Sequence, residues 1–189
     1  MVQGKQKKTM SKAQILHSIS KNKPAPADLP GPLKLPGKSE EVLLQAFTEV
    51  SKSSGSAVEH LASLAEVDAW IKRQQTEGNR VLDLSGPVED TAGAELVVIR
   101  GQLGVAENGA VWIDEKDMQL RSLPFATTHL ALVLDRSNIV PDLHEAYRRV
   151  DLKGSGFGVF IAGPSKTADI EQSLVIGAHG PIAHTILLY

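Results

Sequence analysis

Three stretches of the 189-residue chain hold residue types that could do chemistry. The longest reads Val159-Phe-Ile-Ala-Gly-Pro-Ser-Lys-Thr-Ala-Asp-Ile-Glu171. An apolar, strand-like run feeds a small-residue loop through Gly163 and Pro164, and the loop feeds a segment that reads as a helix, Thr167–Ile176, closed by Gly177. Free N–H groups at a helix start, the Ser165 and Thr167 hydroxyls and the Lys166 ammonium together suit an anion such as phosphate or a carboxylate, with Asp169 and Glu171 close behind. The same pattern equally describes a capped helix, with Thr167 or Ser165 as N-cap and Asp169 in the first turn. Spacing alone leaves both readings open. The second stretch is Val105-Ala-Glu-Asn-Gly-Ala-Val111. Asn-Gly between apolar runs signals a tight hairpin. A carboxylate held there, Glu107 beside Asn108, could also attack a thioester carbonyl. The third is Gly177-Ala-His-Gly-Pro-Ile182, where His179 could serve as an acid, a base or an anion contact, or be a structural loop histidine.

Other chemistries are poorly served. The Gly158–Gly163 spacing fits a P-loop, but Pro164-Ser165 stands where that loop requires Lys before Ser or Thr. The glycine-rich run Lys153–Gly158 precedes a strand, the wrong order for a dinucleotide fingerprint. The chain has no cysteine, which rules out disulfides, zinc–thiolate sites and Cys-ligated iron–sulfur clusters in it. In a redox pathway, another chain would carry the electrons. The histidines at 17, 60, 129, 144, 179 and 184 are scattered, and no metal site is expected. The ligand expected is a phosphate- or carboxylate-containing one, with no resident cofactor.

The elements that must position these residues follow from hydrophobic period. Ser39 caps a helix to about Lys52, with Glu40 and Glu41 where the helix dipole favours acids and Leu43, Phe47 and Val50 on the buried face. Ala57–His60 reads as a short strand, and a second helix runs roughly Leu64–Glu77. From there the period shortens. Arg80–Leu84, Ala94–Ile99, Ala110–Ile113, Leu130–Leu134, Gly158–Ala162 and His184–Tyr189 read as strands, several buried on both faces. Pro141–Val150 reads as a helix with proline at its first position. Alternating strands and helices predict an α/β fold, a mainly parallel sheet with helices on both faces. A ligand cleft in such a sheet is expected at the carboxyl ends of its strands, and Glu107, Ser165, Asp169 and His179 are expected to line it together.

Charge divides the chain. Residues 1–38 carry eight lysines and one acid, a charge of +7 that leaves −9 for residues 39–189 out of the net −2. The arm lacks arginine and aromatic side chains, which argues against nucleic acid as a partner. A short helix over Lys12–Ser20 with Ser11 as N-cap precedes prolines 24, 26, 30, 32 and 36, a linker-like stretch. The expected division is a basic, proline-rich arm, 1–38, and a folded domain, 39–189. No apolar run is long enough to span a bilayer and no secretory h-region is visible, so the expected location is cytoplasmic. A homo-oligomer is left open.

Phe160-Ile-Ala-Gly-Pro-Ser-Lys-Thr-Ala-Asp-Ile-Glu171, followed by Leu174-Val-Ile-Gly177 and His179-Gly-Pro181, resembles the signature end of the LUD domain. More narrowly, it is similar to the lactate-utilisation protein C family. The resemblance extends back through Ile139-Val-Pro141, Leu123-Pro124 and Gly104–Val111, covering roughly residues 95–189. It implies a fold similar to the NagB/RpiA/CoA-transferase-like group and a role in oxidising L-lactate to pyruvate alongside partners that carry iron–sulfur motifs. The chain departs from the family's usual pattern at Ala106-Glu-Asn-Gly109, which resembles the turn around the nucleophile of class I CoA transferases. It also departs at Arg100-Gly-Gln-Leu-Gly104, where the family shows a Gly-x-Thr-x-Ala run. Two other functions stay in view: an acyl- or CoA-transferring or sugar-phosphate enzyme using Glu107, and a non-catalytic scaffold or regulatory protein.

Overall fold

The computed structural model describes residues 11–25, 27–28, 39–86, 88, 90–151, 154–170, 173–177 and 179–189. The chain falls into two units, 1–36 and 37–189. In the first, α1 (Lys12–Lys21) starts at Ser11 with a capping box: the Gln14 amide donates to the Ser11 hydroxyl at 3.3 Å, and the Gln14 side-chain carbonyl accepts from the Ser11 N–H at 2.9 Å. Most of the proline-rich stretch lies outside the described residues.

The second unit is built on a five-stranded parallel sheet. Its strands are β1 (Ala57–His60), β2 (Val81–Asp83), β3 (Leu96–Arg100), β6 (His129–Leu134) and β11 (Ala183–Leu188), in the order β1-β11-β6-β3-β2. The interior strands are apolar on both sides because both faces are covered. On one face, α3 (Leu64–Thr76) packs Val67, Trp70 and Ile71 against Leu96, Val98, Ala131, Val133 and Leu187. On the other face, α2 (Glu40–Ser53) contributes Leu43 and Phe47 to the largest core, with Val97, Ile99, Leu130, Leu132, Leu134, Ile186 and Leu188.

That core is closed by a second sheet, in the order β7-β4-β5-β8, which the sequence reading did not separate from the first. Its strands are β4 (Leu103–Val105), β5 (Ala110–Asp114), β7 (Ile139–Val140) and β8 (Gly158–Ile161). Val111 and Ile113 of β5 face the shared core, while Trp112 and Phe160 face outward to α6 (Leu143–Arg149). The layers are thus α3, parallel sheet, core with α2, second sheet, α6. The helix α6 begins later than expected: Asp142 is its N-cap, accepting from the Glu145 N–H at 2.8 Å, and Pro141 precedes the cap.

The largest departure follows β8. The segment expected as a helix over Thr167–Ile176 forms two antiparallel strands, β9 (Lys166–Ile170) and β10 (Ser173–Ile176), with Lys166 opposite Ile176 and Thr167 opposite Val175. Thr167, Ile170, Val175 and Ile176 are β-branched, a composition that favours strands. At the hairpin base the Gly177 N–H donates to the Ser165 carbonyl at 2.9 Å.

Candidate functional site

Beside the end of β8 lies a cleft of about 300 Å³. One side is Val159 through Gly163, followed by Ser165 and Lys166. Opposite stand Pro124 and Phe125 of α5 (Leu123–Ala126) and Leu130 at the start of β6, and His179, Gly180 and Pro181 close the third side. The loops are pinned by backbone bonds: the Ser165 N–H donates to the Pro181 carbonyl and the Ile182 N–H to the Thr128 carbonyl, both at 2.8 Å. Gly163 has φ +77°, and a Cβ built there would sit 2.3 Å from the Ser54 carbonyl oxygen at the end of α2. Only glycine suits a left-handed position pressed this closely on backbone. Lys166 reaches across to donate its Nζ to that same Ser54 carbonyl, a favourable place for a cation at a helix C-terminus.

Among the described residues the cleft's titratable side chains are Lys166 and His179, both exposed, and no carboxylate lines it. Among the described residues the Ser165 hydroxyl makes no hydrogen bond, so it is free to meet a ligand. The walls, from Phe125, Leu130, Val159 and Ile161, are apolar. A lysine with donors beyond its bond to Ser54, beside a free hydroxyl and an apolar wall, could take a small anion with a carbon skeleton.

No helix start follows the loop, so no helix dipole serves the site, and the case for an anion rests on Lys166, Ser165 and His179. The position also differs from expectation. The cleft lies beside the beginnings of β6 and β11, at the amino ends of the parallel strands rather than their carboxyl ends. The crossing from β8 into the hairpin opens the space there, not a βα crossover.

The structure gathers Gly163, Ser165, Lys166 and His179 into the cleft. Pro164 is buried next to the loop, its ring facing Gly55. Thr167 continues into β9 and Asp169 lies within that strand, its side chain outside what is described, and Glu171 lies outside the described residues. Glu107 and Asn108 are not among the residues that line the cleft. They sit on the 106–109 turn between β4 and β5, at the end of β5 that lies next to the end of β8. The Glu107 carboxylate accepts the Leu143 N–H at 3.1 Å, satisfying the start of α6, and the Asn108 side chain accepts the Ala110 N–H at 3.1 Å. The expectation that Glu107 lines the cleft is corrected by this arrangement: its carboxylate is held by α6.

Two histidines of the parallel sheet, one on each face, are not apparent from spacing. His184 is buried, in register with Leu130 of the cleft wall. Its Nδ1 lies 2.9 Å from the Ser56 hydroxyl, and its Nε2 is buried without a partner among the described residues. Burial, and secondarily the neighbouring His129, push its pKa down to about 4. His129, whose Nε2 lies 2.8 Å from the Thr185 hydroxyl, is also lowered by burial. The available signal was the alternation His184, Ile186, Leu188, which turns the histidine to the same inward face as the core. Among the described residues no group of three or more potential ligands is arranged to hold a metal ion, and no helix is long and apolar enough to cross a membrane.

Residues 88–189 match the model of the LUD domain family. The chain is 32% identical over 123 residues to lactate utilization protein C of Halalkalibacterium halodurans, covering 62% of this chain and 50% of the relative. It is 31% identical over 102 residues to the protein of that name from Anoxybacillus flavithermus, covering 53% and 46%. The chain thus spans about half the length of the curated relatives it matches. The crystal structure of a DUF162 family protein from Deinococcus radiodurans superposes with a TM-score of 0.62 at 18% identity, covering 80% of this chain and 99% of that one. That likeness concerns the fold. The family match spans more than half of the sequence and contains the whole cleft, and on that ground this chain belongs to the LUD domain family.

Proposed function

We propose that this chain works in lactate utilisation, binding a small carboxylate or phosphate ligand in the cleft between β8 and α5. The observation that carries the reading is that the residues resembling the family signature, Gly163, Ser165, Lys166 and His179, converge on one cleft, where Lys166 and His179 are the titratable side chains among the described residues. The names of the relatives supply the pathway. Oxidising lactate to pyruvate removes two electrons and two protons, and a chain without cysteine has no thiolate to hold an iron–sulfur cluster. Iron–sulfur partner proteins are therefore the proposed electron carriers, with this chain contributing ligand binding and partner contact in the cytoplasm.

The test is genetic and biochemical. A strain lacking the gene should fail to grow on L-lactate while growing normally on pyruvate. The wild-type gene should restore growth, and Lys166→Gln should restore it poorly. Normal growth of the deletion strain on lactate, with no effect on lactate consumption, would sink the reading.

A further inference from the structure

The cleft is lined by five consecutive residues, Val159 to Gly163. Successive side chains of a strand point to opposite faces, and β8 obeys this: Val159 and Ile161 pack on the core between the sheets, while Phe160 lies on the other face, 4.7 Å from the Trp112 ring and 5.6 Å from the Tyr147 ring. A cleft lying on one face would be lined by alternate residues. One that touches every residue runs along the strand's edge. Among the described residues β8 pairs with β5 alone, so this edge carries backbone N–H and C=O groups open to another strand.

We propose that this edge receives the carboxyl-terminal end of an extended peptide from a partner protein, added as a strand beside β8 with its terminal carboxylate at Lys166 and His179. The proposal rests on the reading of the cleft as an anion site and names the anion. Three observations select a peptide terminus over a three-carbon acid. The first is the open edge itself, since strand addition supplies main-chain hydrogen bonds that a small acid cannot use. The second is size. The cleft of about 300 Å³ has room for about ten waters, and lactate would displace only about four of them. The third is chemistry. Lys166 and His179 lie past the carboxyl end of β8, with an apolar wall of exposed Phe125 and buried Leu130 and Pro181 beside them. A terminal carboxylate at Lys166 sets the peptide parallel to β8 and turns its last side chain toward that wall.

The experiment uses the full chain and fluorescence anisotropy with a pool of short labelled peptides, degenerate at their last positions and ending in a free carboxylate. The same pool is prepared with amidated ends and with backbone N-methylation. The free-acid pool should bind saturably, with apolar last residues preferred. Amidation should weaken binding by about tenfold or more, N-methylation should abolish it, and Lys166→Gln should weaken it as amidation does while leaving the urea midpoint close to wild type. Equal binding of acid and amide pools, or indifference to N-methylation, overturns the proposal. Lactate and inorganic phosphate are titrated in parallel. If either binds while no peptide does, strand addition falls and the small-anion reading stands, and if nothing binds, both fall.

Discussion

The 106–109 turn and the 162–165 loop leave the same end of the four-stranded sheet, and each presses a glycine at positive φ against the end of α2. A Cβ on Gly109 would meet Ser51 backbone atoms at 2.9 Å, and one on Gly163 would meet the Ser54 carbonyl oxygen at 2.3 Å. Beyond that shared anchor they diverge. In the first turn nearly every polar group is used internally: the Glu107 N–H donates to Pro141, its carboxylate accepts from Leu143, Asn108 accepts from Ala110, and the Gly109 N–H donates to Val105. In the second, backbone bonds fix the loop, while Ser165 and His179 keep their side chains at a cleft. Polar groups consumed by neighbouring backbone hold structure together, and those left facing a concave surface are available to a ligand.

The shared anchor gives the largest expected effect. Gly109→Ala and Gly163→Ala each force a left-handed alanine into backbone contact, and each should cost about 2–4 kcal/mol of stability, read as a lowered urea midpoint. A loss confined to one of them would break the claim that both turns lean on α2.

A buried histidine comes next. His184 has a folded pKa of about 4 against an ordinary 6.5. Between those values the unfolded chain binds a proton that the folded chain refuses, so stability falls as pH drops through this window and levels off below it. The full effect is about 3 kcal/mol, and about 2 kcal/mol of it should be gone by pH 5. Urea midpoints at pH 7 and pH 5 read it out. His184→Gln should flatten the slope, leaving the smaller part due to His129, and an unchanged slope in that variant would remove His184 as its source.

Much of the frame was legible in the sequence because buried parallel strands are short apolar runs bounded by turn residues. Leu130–Leu134, Ala110–Ile113 and Ala57–His60 were read nearly to the residue. Ser39 and Ser11 marked the starts of helices whose spaced apolar residues gave the rest. The stretch Thr167–Ile176 was not legible. A hydroxyl residue followed by an acid two positions on is both a helix start and a polar strand, and ten residues are too few for the 3.6 and 2 periods to separate. What decides it is tertiary: the Ser165 carbonyl takes the Gly177 N–H, and the Ser165 N–H goes to Pro181. Nor could the sequence show that Leu103–Val105 and Ile139–Val140 join β5 and β8 in a second sheet, since their pairing is set by contacts far apart in the chain. Once that sheet exists, the Glu107 carboxylate meets the start of α6, and of the two motifs that looked like partners across one site only the 162–165 loop lines the cleft.

Lys166→Gln sharpens the comparison on the cleft side. Its bond to Ser54 is exposed and adds about 0.5 kcal/mol or less, so the variant should fold normally. Its affinity for a carboxylate or phosphate ligand, measured by titration calorimetry, should fall by about tenfold.

Glu107→Gln should show the reverse. The glutamine oxygen can still accept from Leu143, so the variant loses only the charge at the start of α6, about 0.5 kcal/mol. Ligand affinity in the cleft should match wild type, because Glu107 does not line it. Incubation with an acyl-CoA should leave no adduct on Glu107 by mass spectrometry, since its carboxylate is held by backbone and does not line the cleft. An adduct that appears in wild type and vanishes in Glu107→Gln would show that α6 releases the carboxylate for chemistry, and would make the 106–109 turn, not the 162–165 loop, the reactive one.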